Sequence, residues 1–500
     1  MPLKRAPDAV VVGSGPNGLA AAITLLRAGL SVVLFEQADS IGGGTRTEEL
    51  TLPGFLHDVC SAVHPLGVAS PFFQSLPLHK YGLEWVHPEV QLAHPLPDGT
   101  AALLHRTVEE TSAALGIDAA AYRRLMGPMV RDWPLLAPDL LAPLHFPRHP
   151  LLFALFGFKA LLPSNLLGRL NFKTPAARAL FAGMAAHSFL PLNRPLSSAF
   201  GLILGTLGHV AGWPVARGGS RMITLAMAHY FRSLGGKIVT GREIRSLGEL
   251  PAARITMLDL TPRQLLALGG AALPEDYRRK LRRYRYGPGV FKVDWALSGP
   301  IPWIAEGCSR AATVHVGGTE EEISIGESQV WQGIHPERPF VLVVQPTRVD
   351  GTRAPPGKQV GWAYCHVPSG STFDMTQRIE AQLERFAPGF RGLILARHTR
   401  NCLEYQRYNP NLIGGDINGG VQDLRQFLIR PTLFSPYGTP VKGLYLCSSG
   451  TPPGGGVHGM CGYHAATYAL KKLDRSSSLI RIAGLQPVCD ARTARCHAEA

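Results

Sequence analysis

The sequence predicts an α/β fold: a domain on a parallel sheet, assembled from separated stretches of chain, beside an α+β unit built on a mixed sheet. Three observations predict it. Gly13, Gly15 and Gly18 follow directly on the apolar run Ala9–Val12. A helical pattern at 222–234 opens after Gly218-Gly219-Ser220 and leads through Gly235-Gly236 into an extended run. The run Val441–Cys447 leads through a glycine-rich loop into another helical pattern.

The first stretch is a complete dinucleotide-binding βαβ unit. Ala9–Val12 reads as a strand, Gly13-Ser14-Gly15-Pro16-Asn17-Gly18 as the turn, Leu19–Ala28 as a helix, and Ser31–Phe35 as a second strand ending in Glu36. Gly13 permits the tight turn, Gly15 lets the backbone approach a pyrophosphate, and Gly18 lets the helix pack close to the sheet. The helix N-terminus offers phosphates its unpaired N–H groups and positive dipole end. Glu36 stands about 20 positions beyond the glycines, where a carboxylate takes ribose hydroxyls and repels a 2′-phosphate. Gln37 follows, and then a second glycine cluster, Ile41-Gly42-Gly43-Gly44-Thr45-Arg46. This cluster resembles the GG doublet of the FAD-binding, glutathione-reductase-like (Rossmann-type) superfamily, whose loop covers the pyrophosphate and leads under the flavin. The resemblance puts FAD ahead of NAD. Arg46 is expected either at the pyrophosphate or in a surface salt bridge.

Composition fits a large enzyme with some lipid affinity. With 500 residues and 45% hydrophobic content the chain can bury two domain cores. Its 50 basic and 36 acidic residues leave +14, which favours anionic membranes or nucleic acid and says nothing of fold. Eight cysteines are scattered without a CxxC pair, so neither a metal site nor a dithiol centre is expected, and a reduced, cytoplasmic setting is. The first strand begins within about eight residues, leaving no room for a signal peptide.

The later stretches complete the predicted cofactor domain. Gly235–Val239 and Gly241–Ile244 suit a return to the first sheet. Val441–Cys447 reads as a strand, Ser448–Met460 as a glycine-rich loop, and Cys461–Leu473 as a helix whose N-terminus faces an anion or a polarised carbonyl. Taken together, Gly13–Thr47, the Gly218-Gly219-Ser220 helix and Gly450–Gly462 resemble the bacterial-type phytoene desaturase family of FAD-dependent oxidoreductases, within it the pyridine nucleotide-disulfide oxidoreductase domain-containing protein 2 branch. Gly54-Phe55-Leu56-His57-Asp58, Gly212-Trp213-Pro214 and Phe291–Leu297 strengthen the match, which runs to about Leu473. The resemblance implies that the Ile244 backbone passes beside the adenine. It also places Gly450, Gly456, Val457, His458 and Met460 at the flavin end, with the helix dipole stabilising negative charge on the reduced ring. Two groups are expected as catalytic: His458, to tune flavin or protonate product, and Asp58, with His64 nearby, for proton transfer. Each has a plainer alternative, a loop-structuring histidine and a carboxylate capping backbone N–H groups. The family's usual glycine two positions after Asp58 is Cys60 here.

The predicted domains are 1–70, 211–275 and 435–474 for the cofactor and 71–210 with 276–434 for the substrate, leaving 475–500 as a flexible tail. Residues 134–172 are rich in Leu, Phe and Pro with interspersed Arg148, Lys159 and Arg169. The run Leu151–Phe158 is too short to cross a bilayer and suits a peripheral membrane segment, an apolar lid, or equally core helices. The stretch Arg278–Tyr286 interleaves cations with aromatics, but a solvated helix face outranks lipid headgroups there, and no nucleic acid partner is expected. The β-branched runs 290–297, 312–316, 340–345 and 359–366, with a helix at 373–386, suit a mixed sheet roofing the flavin. Asp416 and Asn418 sit in a polar glycine loop expected near the substrate or explained by turn chemistry alone.

The expected function is hydride transfer between an apolar substrate (isoprenoid, polyene or other lipid) and flavin N5, most simply desaturation, in a site kept dry by the second domain. No second GxGxxG follows a strand, so oxygen, a quinone or a protein is the expected electron acceptor. An amine-oxidase-like flavin oxidase of a smaller substrate, marked by a compact polar-aromatic cage, is the first alternative. A flavin-loaded scaffold or assembly protein without turnover is the second.

Overall fold

A computed structural model describes residues 6–476. Its strands, in chain order, are β1 (Ala9–Val12), β2 (Val32–Phe35), β3 (Leu92–Pro95), β4 (Ala101–Leu104), β5 (Lys237–Val239), β6 (Ile255–Leu258), β7 (Gly289–Leu297), β8 (Thr313–Val316), β9 (Val341–Val344), β10 (Gln359–Val367), β11 (Ile394–Arg400) and β12 (Leu444–Leu446), besides two short two-stranded ribbons. The helices used below are α1 (Pro16–Arg27), α2 (Pro150–Ala160), α3 (Ser164–Asn171), α4 (Pro175–Ala186), α5 (Ser197–Val210), α6 (Arg221–Ser233) and α7 (Met460–Ser476).

The first sheet is wholly parallel, in the order β12-β6-β1-β2-β5. All four residues of β1 are buried, because a central parallel strand is covered on both faces and carries no alternation. Pro16 occupies the first turn of α1, where its missing N–H costs nothing, and every residue from Asn17 to Leu25 is buried. Small residues make that close packing possible. A Cβ on Gly462 would lie 1.8 Å from the carbonyl oxygen of Asn17, so α7 seats directly on the first turn of α1.

The second sheet is mixed, in the order β11-β7-β10-β9-β8-β3-β4, with the β3–β8 pair parallel and the others antiparallel. Its alternation separates two chemistries. Val293, Trp295, Val314, Val316, Val341, Val343, Ala363 and Cys365 pack one face into an apolar core with the helix Thr376–Glu384. The residues between them, Lys292, Asp294, Thr313, His315, Leu342, Val344, Trp362 and Tyr364, fill the face that looks towards the first sheet. Helices α2–α5 form a third layer around Leu180, Phe181, Met184 and Leu202.

The four β-branched runs and the 373–386 helix expected in the middle of the chain are present within a few residues of their expected ends. Three elements of the sheets had no clear sequence signal. β6 is the four-residue run Ile-Thr-Met-Leu, too short to show a period; β11 is an edge strand whose sequence Ile-Leu-Ala-Arg-His-Thr-Arg is too polar to stand out; the β3–β4 hairpin carries a proline at its turn end. No single helix among the described residues is long and apolar enough to cross a membrane; α2 and α3 form an apolar pair bent by 100°. The expected flexible tail lies almost wholly outside the described residues.

Candidate cofactor and substrate cavity

A cavity of about 650 Å³ opens between the two sheets. Its floor is made by the segments that follow the C-terminal ends of β1, β2, β6 and β12: Gly13–Asn17, Glu36–Gln37, Asp259–Leu260, and Ser449 with Gly455–Val457. In open α/β sheets this crevice is where ligands bind. The roof is Thr313, Leu342, Val344, Trp362 and Tyr364 from the second sheet, and Phe189, Phe200, Leu204 and Trp213 close the side formed by the helical layer.

The two glycine clusters meet on the floor. Gly43 has φ +53°, and a Cβ there would lie 3.1 Å from the Cα of Gly15, so backbone alone fits between them. Glu36 accepts hydrogen bonds from the N–H (2.9 Å) and hydroxyl (2.6 Å) of Ser14 and from the N–H of Ala38 (3.0 Å). Arg46 donates to Glu36 at 3.3 Å and to the Ser40 carbonyl at 2.9 Å, with its guanidinium 5.3 Å from the Tyr408 ring centroid. It is buried in the cavity wall, which rules out the surface salt bridge. Gln37, Gly44, Thr45 and Ile244 also line the cavity, Ile244 in company with Arg242, Glu243 and Arg245.

Asp259, which sequence reasoning passed over, stands at the centre of this floor. Its Oδ2 accepts the N–H of Gly18 at 2.9 Å, and a Cβ on Gly15 would sit 2.9 Å from it. Burial pushes its carboxyl up to about 7; the Gly18 N–H opposes the rise and Glu36 adds to it. An acid directly after the run Ile255–Leu258 was its only signal.

Four of the residues expected to bind the cofactor lie outside the cavity lining. Gly18 packs against the Gly13 carbonyl, where a Cβ would clash at 2.0 Å, and Gly450 packs against Pro262. Met460 opens α7 and donates its N–H to His458 Nδ1 at 3.0 Å. His458 therefore structures the loop. Its carbonyl accepts from Ser70 at 2.6 Å, and burial holds the ring down to about 4, so it is neutral. Gly456 and Val457 on the same loop do reach the cavity.

Asp58 is likewise a structural hub. Its carboxylate accepts from the Thr47 hydroxyl (2.7 Å), the Ser220 N–H (2.7 Å) and Arg353 (2.9 Å), and it is absent from the cavity wall. Arg353 is fully buried, so the pair ties the 47–58 ribbon to the second sheet's loops. His64 does line the cavity. Its Nε2 lies 2.8 Å from Ser220 Oγ, whose proton goes to the Ser61 carbonyl, and burial holds the ring down to about 4. Cys60 is beside it in the cavity wall, its thiol pushed up to about 11 by burial. Of the polar loop, Asn418 reaches the cavity, while Asp416 turns away to accept the N–H groups of Gly287, Asn418 and Gly420.

Beside the roof, on the same face of the sheet, lies a buried ion pair. Lys292 Nζ contacts the Asp294 carboxylate and stands 5.5 Å from the Trp362 ring centroid, with His57 and His398 at 3.5 and 3.7 Å from Asp294. Phe189 has φ +58°, a region costly for a bulky residue, and its ring centroid lies 3.8 Å from that of His366, the rings tilted by 40°.

Residues 11–76 match the NAD(P)-binding Rossmann-like domain family. Over 94% of each chain the protein is 27% identical to rat pyridine nucleotide-disulfide oxidoreductase domain-containing protein 2. It is 20% identical to a lycopene-forming phytoene desaturase of a Paracoccus species over 61% of this chain and 64% of that one. Among solved structures, an oxidoreductase from Methanosarcina mazei is similar with a TM-score of 0.63 and 16% identity, covering 93% of this chain and 99% of that one. Putrescine oxidase bound to putrescine is similar with a TM-score of 0.60 and 18% identity, covering 94% and 99%. The fold is the Rossmann-type, FAD-binding fold with a mixed sheet closing over the nucleotide crevice.

Proposed function

We propose that the protein is an FAD-dependent oxidoreductase acting on a long apolar substrate. The observation that carries this reading is the continuity of one cavity from the paired glycine loops to an aromatic and aliphatic roof. The residues fit the cofactor. Glycines 15 and 43 leave a backbone-lined cradle that a Cβ would fill, Glu36 stands at the end of β2 for the ribose, and Gly455–Val457 precede the N-terminus of α7 at the other end. FAD bound there supplies a hydride acceptor, and the chain's own residues do the rest. The roof of Leu342, Val344, Trp362 and Tyr364 excludes water and aligns an apolar chain, and aromatic faces favour positive charge developing on carbon.

The route by which such a substrate enters is suggested by α2 and α3. Phe146, Leu151, Phe158 and Leu170 are 82, 74, 73 and 68% exposed, with Arg148, Lys159 and Arg169 among them. A patch of this kind fits docking on an anionic membrane. Helix α2 belongs to the same apolar layer as α5, whose Phe200 and Leu204 line the cavity.

A second reading, a flavin oxidase of a smaller amine, has one observation in its favour. Trp362 and Tyr364 stand edge to face at 5.3 Å in the roof, with Phe189 and Trp213 nearby, and aromatic faces bind cations. The test is anaerobic bleaching of the FAD-loaded protein. Fractionated lipid extract is expected to bleach it with a change of two hydrogens in the product mass; bleaching by polyamines or simple amines alone selects the second reading.

A further inference from the structure

The glycine turn after β1 already holds a side chain. A Cβ on Gly13 would lie 3.0 Å from the Cβ of Asp259, one on Gly15 would lie 2.9 Å from its Oδ2, and one on Gly18 would lie 3.1 Å from the same oxygen. The three glycines that would open the turn to a pyrophosphate thus seat the Asp259 carboxyl in it as well. The backbone of Asp259 is pinned on both sides: its N–H donates to the Val12 carbonyl at 2.8 Å, and its carbonyl accepts the Asn411 side-chain amide at 2.8 Å. Oδ2 takes the Gly18 N–H at 2.9 Å. Oδ1 takes no hydrogen bond from the described residues, and the side chain lines the cavity.

The surroundings of this carboxyl favour its neutral form. No cationic side chain among the described residues pairs with it, and Arg46, which also lines the cavity, donates to Glu36 instead. The ionisable groups that face it are Glu36, beyond the end of β2, and the thiols of Cys447, directly after β12, and Cys461, in α7. Burial, with Asp259 adding to it, pushes both thiols up, Cys461 to about 12, so neither is charged at neutral pH. Glu36 contributes repulsion, and only the Gly18 N–H favours the carboxylate; burial outweighs it and lifts the group to about 7. A dianionic pyrophosphate brought to the same turn disfavours the carboxylate further, since like charges at close range cannot both stay ionised cheaply. Protonated, Oδ1 becomes an O–H donor; ionised, it has only lone pairs to set against phosphate oxygens.

We propose that Asp259 is a cofactor-binding residue that works as a neutral acid: Oδ2 holds the Gly18 N–H while Oδ1 donates its proton to a phosphate oxygen of the dinucleotide, so that binding takes up a proton. This rests on the FAD reading of the cavity floor. Affinity is then level at acid pH, where the free carboxyl is already protonated, and weakens by up to about tenfold per pH unit once it ionises.

The test is calorimetric titration of the full-length apoprotein with FAD from about pH 6 to about pH 8.5, in buffers of different ionisation heat, which counts the protons taken up. The parent is expected to take up close to one proton per FAD at about pH 8, and to bind at least about tenfold more weakly at the top of the range than at the bottom. Asp259→Asn offers an amide N–H in place of the acid's O–H. It is expected to lose that uptake, to match the parent at about pH 6 and to bind about tenfold tighter than the parent at about pH 8.5. Asp259→Ser, which keeps a hydroxyl donor, is the second variant and is expected to lose the uptake too; the melting temperature of each reports that it is folded. Absence of proton uptake by the parent overturns the inference, as does uptake that persists in a folded variant, or weaker binding by Asp259→Asn than by the parent at about pH 8.5. If FAD binds none of the three proteins at any pH, the flavin reading itself fails.

Discussion

Asp259 is a buried carboxyl at the first turn of α1, the place where a phosphate would also sit, and its protonation has a measurable consequence. Its ordinary value is 3.8 and the fold raises it to about 7. Between those values the folded chain holds a proton that the unfolded chain has released, so stability falls as pH rises through that window and the full penalty is present above it. Asp259→Asn keeps an oxygen for the Gly18 N–H and removes the charge. The variant is expected to be more stable than the unmodified protein by on the order of 1–3 kcal/mol above neutrality, with the gain gone at pH about 4, as denaturant unfolding at several pH values would show. Asp58 makes the opposite case. Replacing it with Ala strands the fully buried Arg353 and is expected to cost about 3–5 kcal/mol of stability, read as a lowered melting temperature with or without cofactor. Both carboxylates look alike in the sequence. Asp58 stood in a familiar motif, yet its partner Arg353 lies almost 300 positions away, and only tertiary structure makes it a hub. Asp259 follows four unremarkable residues, and nothing local says that they form the strand next to β1.

At the scale of elements, legibility followed covalent locality. The β1-turn-α1-β2 unit was readable to within three residues because strand, turn glycines, helix and acid are contiguous. Glycine loops at 42–44 and 455–457 were readable as loops, and their approach to the same cavity was reached through resemblance, since no local signal says what a loop faces. The apolar stretch 134–172 was ambiguous between lid and core, and the structure divides it: Leu136, Phe156 and Leu167 are buried, while Leu151, Leu155 and Phe158 point outward. That division yields a test confined to the surface. The unmodified protein is expected to float with vesicles containing anionic phospholipid in a sucrose gradient. Leu151→Glu with Phe158→Glu is expected to stay in the soluble fraction at an unchanged melting temperature, since side chains already in solvent contribute little to folding. Flotation of the double variant equal to that of the parent would assign membrane attraction, if any, to the basic charge alone.

For the whole molecule, the parallel sheet draws β1 and β2, β5 and β6, and β12 from stretches separated by about 200 residues each, and the cavity floor is complete only when all have met. A ligand that spans this floor stabilises the assembled chain by mass action, about 2.7 kcal/mol at a concentration one hundred times its dissociation constant, because the unfolded chain has no site to offer. The match of residues 11–76 to an NAD(P)-binding domain leaves two dinucleotides to be told apart, and the floor distinguishes them by reach. In the proposed reading, Gly13–Asn17 and Glu36 would serve the adenosine half of either, while Gly43–Arg46 and Gly455–Val457 extend the floor as the longer FAD would need. Apoprotein titrated with FAD is therefore expected to show a saturable rise of a few degrees in melting temperature, NAD a smaller one or none. Gly43→Val, which drives a side chain into the Cα of Gly15, is expected to abolish the FAD response at a modest cost in the melting temperature of the apoprotein itself. A larger shift with NAD than with FAD would move the chemistry from flavin to nicotinamide while leaving the fold as described.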